Sequence, residues 1–188
     1  MKKEEMMQQL VDLHVLREGH FLLTSGRHSD RFLLCSQLTM HPEATERFVR
    51  QLAPEVAALN PTVIVGPAMG GVILAYELAR AVGCKAMFAE KDGEKMAMKR
   101  GFTLTSEDRV VIIEDAVSTG GSIRKVVEVI QQSPSTLVGV VALFDRTGGK
   151  IQFEGVPFIS LMEIEITSYD PADCPLCRDH KPLIQPKS

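Results

Sequence analysis

Residues 109–122, with the helix that follows them, constrain the fold more than any other part of this sequence. Four consecutive β-branched residues, 110–113, predict a strand buried on both faces, as in a parallel sheet. Two carboxylates, Glu114 and Asp115, follow at its end, and then come a turn with two glycines and an amphipathic helix. Such a turn is typical of an anion site, because glycines let a ligand approach the backbone and the helix N-terminus offers free amides and a positive dipole.

The side chains of this turn indicate which anion it would bind. Ser118, Thr119 and Ser122 add hydroxyl donors to the backbone amides. A site for phosphate alone would not place two carboxylates beside it, so Glu114 and Asp115 imply hydroxyl groups or a metal on the same ligand. A ribose with a 5-phosphate and vicinal hydroxyls suits both halves of the motif. The alternative is a strand that ends in a solvated acidic turn before an ordinary capped helix.

Two common phosphate loops are excluded as explanations of this motif. The chain contains neither G-x-x-x-x-G-K-[ST] nor a strand followed by G-x-G-x-x-G. Two acids followed by a small, hydroxyl-rich loop instead resemble the motif with which type I phosphoribosyltransferases bind phosphoribosyl pyrophosphate (PRPP).

From residue 60 onward, the hydrophobic pattern predicts an α/β fold with a mostly parallel central sheet flanked by helices. Further strands are predicted at residues 62–65, 85–89, 137–144 and 157–162, and a helix at 72–82. A second glycine-rich turn, residues 66–71, precedes that helix. Because ligands collect at the carboxyl ends of parallel strands, both turns should face one crevice, which suits a ligand with two anionic groups. The alternative for this second turn is a plain strand-to-helix connection.

Residues 1–60 lack this alternation. Helical spacing of apolar residues predicts a first helix within residues 4–17, and two extended apolar patches follow at 21–23 and 32–35. Pro42 suits the first position of another helix, in which Pro54 should cause a kink or a split.

Residues 90–101 form a charged segment with glycines at both flanks. It carries Lys91, Lys95, Lys99 and Arg100. By itself this composition predicts a solvated surface hairpin. Beside a pyrophosphate leaving group, the same segment would act as a mobile cationic lid that excludes water and stabilises charge on the leaving oxygens.

Length and composition bound the remaining possibilities. The chain of 188 residues suits one α/β domain with an appendage, and we divide it into an N-terminal hood (1–60), a PRPP-binding core (61–168) and a tail (169–188) that packs on the outside. A formal net charge of −3 without a basic block argues against nucleic acid as a partner. The polar start and the absence of a long apolar run argue against a signal peptide and a membrane span. Four cysteines without a secretory signal favour reduced thiols in the cytoplasm.

Over nearly its whole length, the chain is identified as a member of the orotate phosphoribosyltransferase family. The stretches that carry the resemblance are residues 19–30, 66–72, 88–91, 95–102, 114–122 and 145–146. The resemblance implies a type I phosphoribosyltransferase fold with an N-terminal hood. It also implies transfer of ribose-5-phosphate from PRPP to N1 of orotate, which gives orotidine 5′-monophosphate and pyrophosphate in pyrimidine biosynthesis. Mg²⁺ is the implied cofactor.

The resemblance also assigns residues. The implied PRPP-binding residues are Met69, Gly70, Glu114, Asp115, Ala116, Val117, Ser118, Thr119, Gly120, Gly121 and Ser122. The implied orotate-binding residues are Thr24, Ser25, Gly26, Arg27, Phe32, Ser118 and Arg146. The implied catalytic residues are Lys91, Lys95 and Lys99 with Glu114 and Asp115. No metal held directly by side chains is expected. The family also implies a homodimer in which segment 90–101 completes the neighbouring subunit's site.

The chain departs from the family pattern near the base. Thr24 stands where many members carry a lysine, so Arg27, Arg146 and the backbone amides of residues 24–33 must bind the orotate anion. Met69 and Gly70 replace the lysine that many members have in the pyrophosphate loop. The alternative for Arg146 is a surface turn that contributes little to stability.

The tail contains one further pattern. Cys174 and Cys177, with His180 three residues on, have the spacing of half a zinc site. No fourth ligand follows in the sequence, and Cys35 and Cys84 belong to segments predicted to be buried. A tail turn without a metal is therefore the preferred interpretation, and the five histidines show no metal pattern.

Two other functions share parts of this pattern. A phosphoribosyltransferase for a purine or another pyrimidine would keep the central motif but not the 19–30 segment. A PRPP-sensing regulator that binds RNA or DNA would have the same fold but a basic face, which the acidic net charge does not favour.

Overall fold

The computed structural model describes residues 1–23 and 25–186, which form two compact units. In chain order the elements are α1 (Lys3–Asp12), β1 (Leu16–Leu22), β2 (His28–Leu33), α2 (Ser36–Thr39), α3 (Pro42–Ala58), β3 (Val63–Pro67), α4 (Gly70–Val82), β4 (Lys85–Asp92), β5 (Lys95–Met98), β6 (Arg109–Val117), α5 (Gly121–Gln131), β7 (Thr136–Asp145), β8 (Phe158–Glu163), β9 (Ser168–Tyr169) and α6 (Pro175–Arg178). None of the described helices has the length and apolar character needed to cross a membrane.

The larger unit, Thr39–Ile164, is built on a six-stranded sheet in the order β5-β4-β3-β6-β7-β8. All neighbouring pairs are parallel except β4 and β5, which form an antiparallel hairpin. Helix α4 packs on β3 and β4, and α5 packs on β5, β6 and β7. The predicted α/β fold with a mostly parallel sheet is therefore confirmed.

Strand β6 lies at the centre of this sheet. Residues 110–113 are fully buried, as the run of β-branched side chains predicts. The strand continues past them, because Ala116 and Val117 still pair with Phe144 and Asp145 of β7. Glu114 and Asp115 are therefore strand residues and not the start of a turn. Since β3 runs parallel to β6, the loops after both strands lie at the same edge of the sheet.

Two predicted helices differ from those observed. Helix α1 ends at Asp12 instead of continuing toward residue 17, because Leu16 is already paired with Leu33 in the sheet. Helix α3 runs without a break through Pro54, so a split at this proline is wrong. Its face of buried apolar side chains includes Leu52 and Val56, on both sides of the proline, and this packing outweighs the local cost of the missing amide.

The smaller unit joins Met1–Leu38 to Glu165–Ser188. Its antiparallel sheet has the order β1-β2-β9, and Ile184 of the tail adds a bridge to Phe21 of β1. The tail was predicted to lie on the outside, but Cys174 and Leu176 are buried in this unit.

The observed division of the chain also differs from the predicted boundaries at residues 60 and 168. Residues 39–58 belong to the larger unit, because α3 packs on α4, β7 and β8. The tail joins the N-terminal segment instead of forming a separate piece.

Candidate active site

A cavity of about 660 Å³ opens in the larger unit at the carboxyl ends of β3 and β6. It is lined by both predicted loops and by the tip of the β4–β5 hairpin. All the residues implied in PRPP binding contribute to its wall: Met69, Gly70, Glu114, Asp115, Ala116, Val117, Ser118, Thr119, Gly120, Gly121 and Ser122. The two glycine-rich turns therefore face one crevice, as the parallel sheet requires.

The loop after β3 is pressed against the end of β6. A Cβ atom on Gly70 would lie 2.6 Å from Oδ2 of Asp115, and one on Gly71 would lie 2.8 Å from the carbonyl oxygen of Ile113. At Gly71 this approach requires glycine, because the added atom would meet backbone that cannot move aside. The peptide bond between Ala68 and Met69 is cis. The close approach at Gly70 places the Asp115 carboxylate beside the backbone of the second loop.

The loop after β6 leads into the N-terminus of α5. Gly120 caps this eleven-residue helix with φ of 74°, a left-handed conformation that glycine adopts without strain. The amides of the first helical turn have no acceptors within the helix, and they carry the positive end of its dipole. The hydroxyl-bearing residues Ser118, Thr119 and Ser122 are exposed around them. An arrangement of free amides and hydroxyls of this kind can bind a phosphate group.

The two adjacent carboxylates have unequal environments. Burial raises the pKa of Glu114 to about 8, and the negative charge of Asp115 contributes in the same direction. The backbone N–H of Asp115 donates a 3.2 Å hydrogen bond to Oε1 of Glu114, which opposes this shift only in part. At neutral pH Glu114 therefore holds a proton. A neutral carboxyl group can both donate and accept a hydrogen bond, which suits a hydroxyl ligand.

The hairpin of β4 and β5 brings two of the three candidate lysines to the cavity. Lys91 and Lys95 line it, and Nζ of Lys125 on α5 donates a 2.6 Å hydrogen bond to the carbonyl oxygen of Glu94 at the hairpin tip. Lys99 is not among the described lining residues, and its Nζ pairs with Asp92 at 3.1 Å. The segment is thus the surface hairpin that its composition predicts.

Comparison with known proteins agrees with this geometry. The family model of a phosphoribosyl transferase domain matches residues 36–169. The orotate phosphoribosyltransferase of Caldanaerobacter subterraneus subsp. tengcongensis is 42% identical over 188 residues, which cover 100% of this chain and 98% of that relative. The chain belongs to the orotate phosphoribosyltransferase family.

A second relative agrees with this assignment, and a solved structure agrees with the fold. The orotate phosphoribosyltransferase of Carboxydothermus hydrogenoformans is 41% identical over 186 residues, covering 98% of this chain and 97% of that protein. The crystal structure of the Mycobacterium tuberculosis enzyme superposes with a TM-score of 0.71 at 24% identity, over 85% of this chain and 95% of that one. At this identity the superposition supports the fold alone.

The family's implied orotate residues fall into two groups. In the larger unit, Ser118 lines the cavity, and the half-buried Arg146 follows β7. The backbone N–H of Arg146 donates a 2.8 Å hydrogen bond to the carbonyl oxygen of Val117, which lines the cavity. Asp145 is buried and accepts from the backbone of Thr147 at 2.7 Å, so it holds the turn that carries Arg146.

The remaining implied orotate residues lie in the smaller unit. Ser25, Gly26 and Arg27 connect β1 to β2, and Thr24 lies outside the described residues. The guanidinium of Arg27 donates to Oγ and to the carbonyl oxygen of Ser168, at 3.0 and 2.8 Å. Phe32 lies in β2 with its ring centroid 5.7 Å from that of Phe21. The role of this group in orotate binding stays a prediction.

Sequence reasoning missed one cation of the cavity, Lys125. It lies three residues after Ser122 on α5, so both side chains are on the same side of the helix. Helical spacing from the phosphate loop is the signal that could have identified it.

Proposed function

We infer that this chain transfers ribose-5-phosphate from PRPP to orotate, giving orotidine 5′-monophosphate and pyrophosphate, as its family does. The observation that carries this inference is the convergence of two acids, a helix N-terminus and a second glycine loop on one cavity. A ligand with a phosphate at one end, a pyrophosphate at the other and a diol between them matches these three features.

The 5-phosphate is proposed to bind residues 118–122, where backbone amides and hydroxyls meet at the start of α5. The ribose hydroxyls would contact Glu114 and Asp115. Glu114 is neutral at pH 7 and can accept and donate one hydrogen bond each, while Asp115 supplies negative charge. The pyrophosphate would then face the backbone of Met69 and Gly70.

The reaction needs stabilisation of charge more than it needs a nucleophile. Breaking the bond to pyrophosphate leaves a ribosyl group with oxocarbenium character, and negative charge grows on the leaving oxygens. Lys91 and Lys95 line the cavity and would stabilise that developing charge. Asp115, beside the ribose, would favour the positive ribosyl group.

Mg²⁺ is the proposed cofactor. The acids beside the glycine loop offer oxygen atoms, the donors that Mg²⁺ prefers, and Asp115 lies against Gly70 where the pyrophosphate is expected. When bound, Mg²⁺ neutralises charge on the pyrophosphate. Its ligands are proposed to be oxygens of PRPP and water. The carboxylates would hold these ligands and would not bind the ion directly.

Base selectivity is proposed to depend on Arg146 and Ser118 of the larger unit, and the family resemblance adds the turn that carries Arg27 as a separate prediction. Orotate differs from uracil by a carboxylate, and a planar guanidinium binds a carboxylate in two-point contact as lysine cannot. The base must bind next to the ribose, at the carboxyl edge of the sheet. Arg146 lies at this edge, where its backbone N–H donates to the carbonyl oxygen of Val117.

A homodimer and a cytoplasmic location are also proposed. Three apolar side chains at helical spacing, Met69, Ile73 and Tyr76, are 83%, 50% and 67% exposed along the start of α4, and a partner subunit would cover them. The four cysteines are free, which suits the reducing cytoplasm.

Sharing of the 90–101 segment between subunits can be tested by complementation. In the isolated chain, Lys95 lines the cavity of its own subunit. A heterodimer of a Lys95→Ala subunit and an Asp115→Asn subunit should regain activity if the hairpin acts on the neighbouring site. A verified heterodimer without any recovery would show that the hairpin acts within its own chain or takes no part in the reaction.

The proposed reaction is tested by following the absorbance of orotate after PRPP and Mg²⁺ are added. We expect orotate to be consumed, with pyrophosphate released in equal amount, while uracil and adenine are not. Consumption of adenine or uracil instead would assign the chain to another base. Binding of PRPP without consumption of any base would indicate a regulator.

A further inference from the structure

The smaller unit brings together four side chains that the proposed reaction does not require. They are His20 of β1, His28 of β2, Cys174 at the start of α6 and Cys177 within α6, and one ligand atom from each lies within 4.8 Å of the other three. Cys174 is 154 residues from His20 in the sequence. His180, which the local spacing favours as a ligand, is not part of this cluster.

We propose that His20, His28, Cys174 and Cys177 bind a structural zinc ion. The proposal concerns a site separate from the cavity of the larger unit and does not depend on the proposed reaction. It replaces the expectation that the tail is a turn without a metal.

Three of the distances within the cluster are those of a tetrahedral site. Zinc bonds to cysteine sulfur and histidine nitrogen place neighbouring ligand atoms about 3.3–3.8 Å apart. Nε2 of His20 lies 3.6 Å from Sγ of Cys174 and 3.7 Å from Sγ of Cys177, and Nδ1 of His28 lies 3.3 Å from Sγ of Cys177. The two ring nitrogens are 2.9 Å apart, so an ion requires only a small separation of the rings.

The surroundings of His20 orient its ring for a metal. Nδ1 of His20 lies 2.9 Å from the carbonyl oxygen of Lys181, and a carbonyl only accepts, so this nitrogen carries the proton. In the neutral ring, Nε2 then has a free lone pair directed at the other three ligands. A backbone carbonyl in this role is the usual support of a metal-binding histidine.

Burial and charge also suit zinc. His20, His28 and Cys174 are buried, whereas Cys177 is exposed and leaves a path for the ion. Binding releases the two thiol protons, and the ring proton of His28 moves from Nδ1 to Nε2, so both histidines stay neutral ligands. Two thiolates then cancel the charge of the ion, so the buried site is neutral overall. A tetrahedral set of two sulfurs and two nitrogens selects zinc over magnesium.

The proposed ion explains how a small unit with short strands holds its tail. A unit of roughly sixty residues has a limited core, and metal sites commonly stabilise units of this size. Zinc would join α6 to both strands of the β1–β2 hairpin.

The alternative is a metal-free network. In that state Nδ1 of His28 donates to Nε2 of His20. Metal analysis separates the two states directly. Protein purified without a histidine tag and dialysed extensively should contain about one zinc ion per chain by mass spectrometry of the metal. Zinc-free protein titrated with Co²⁺ should give the intense visible bands and thiolate-to-metal band of a tetrahedral site at one equivalent.

Variants identify the ligands. Cys177→Ser and His20→Gln should lose most of the zinc, whereas the controls His180→Gln and Cys84→Ser should keep it. Zinc removal should also speed trypsin cleavage after Arg178 by about tenfold or more, because the tail is then released.

Several results would overturn the site. Wild-type protein with neither zinc nor a tetrahedral Co²⁺ spectrum, or with a Cys174–Cys177 disulfide, shows that no such site exists. Loss of zinc from His180→Gln but not from His20→Gln shows that the ligands are others. If the ligand variants do not fold, thiol titration of the wild type decides: zinc should protect two of the four thiols, and equal reactivity with and without metal contradicts the proposal.

Discussion

Asp108 and Glu114 are buried carboxyl groups near opposite ends of β6, and their surroundings differ. Asp108 accepts hydrogen bonds from Nζ of Lys85 at 2.9 Å, from the hydroxyl of Thr62 at 3.1 Å, and from both the backbone and the hydroxyl of Thr105. These donors, Lys85 foremost, hold the pKa of Asp108 well below its usual range. Glu114 has a pKa raised to about 8 by burial and by the charge of Asp115.

This difference indicates that the two ends of the sheet have different roles. At the amino end, a fully paired carboxylate stabilises the fold by joining β6 to the starts of β3 and β4. At the carboxyl end, Glu114 is buried beside the negative charge of Asp115, and both conditions disfavour its ionised form. Strain of this kind is expected at binding sites and not at structural ones.

The largest effect is expected for Asp115→Asn. Loss of this charge beside the ribose should lower turnover by about 10²–10⁴-fold, the range for a group that stabilises transition-state charge. The free energy of unfolding should change by less than about 1 kcal/mol, since the residue is only half-buried. Steady-state kinetics at saturating PRPP and urea unfolding measure the two quantities. Near-normal orotate consumption would remove Asp115 from the ribose site.

Arg146→Ala should weaken orotate binding by roughly 2–4 kcal/mol, because a charged hydrogen-bond donor to the base is lost. PRPP affinity should change far less. Arg109, at the amino end of β6, is the matched control: its guanidinium donates to the carbonyl oxygens of Leu59 and Asn60, both at 2.8 Å. Arg109→Ala should leave orotate affinity unchanged. Calorimetric titration of each ligand makes the comparison, and equal effects of the two variants would exclude Arg146 from the pocket.

Asp108→Asn should lower the free energy of unfolding by about 2–3 kcal/mol at pH 7 and leave turnover near normal. The Lys85 side chain is mostly exposed, so its share is reduced by solvent and salt. Because the folded-state pKa is lowered, this stabilisation is present above pH about 4 and is lost as the pH falls toward the depressed value. Urea unfolding at pH 7 and pH 3 tests both statements. A difference between variant and wild type that does not shrink at pH 3 would contradict the assigned cause.

The smallest effect is expected for Glu114→Gln, and it has the opposite sign. The folded chain holds a proton on Glu114 between the usual pKa of 4.5 and about pH 8, whereas the unfolded chain releases it. Wild-type stability should therefore decline as pH rises through this window. The variant cannot ionise, so it should be more stable than wild type by roughly 1–3 kcal/mol at pH 9 and about equal at pH 5. Parallel pH dependence in both proteins would show that Glu114 ionises freely.

Local pattern was enough to predict the central architecture. The β-branched run of 110–113 and the two glycine turns depend on neighbours in sequence, and the structure places them as predicted, in parallel strands with both turns at one cavity. The same pattern brought the acids and the phosphate loop together, because strand and helix directions determine which ends meet. The predicted ends of strands and helices were less accurate. Strand β6, for example, continues through Val117 because it stays paired with β7.

Tertiary structure alone decided features that depend on residues distant in sequence. It paired Lys99 with Asp92 and left Lys91 and Lys95 at the cavity, and it placed Lys125 beside the hairpin tip. It brought His20 and His28 to Cys174 and Cys177, whereas the spacing in the tail had favoured His180.

Sequence by itself determined which chemical groups this chain carries and the local elements that hold them. Only packing decided which groups are buried together. It therefore also decided the raised pKa of Glu114 and the depressed pKa of Asp108. The physical reason is that desolvation and charge pairing depend on distance in space, and a sequence pattern records only separation along the chain.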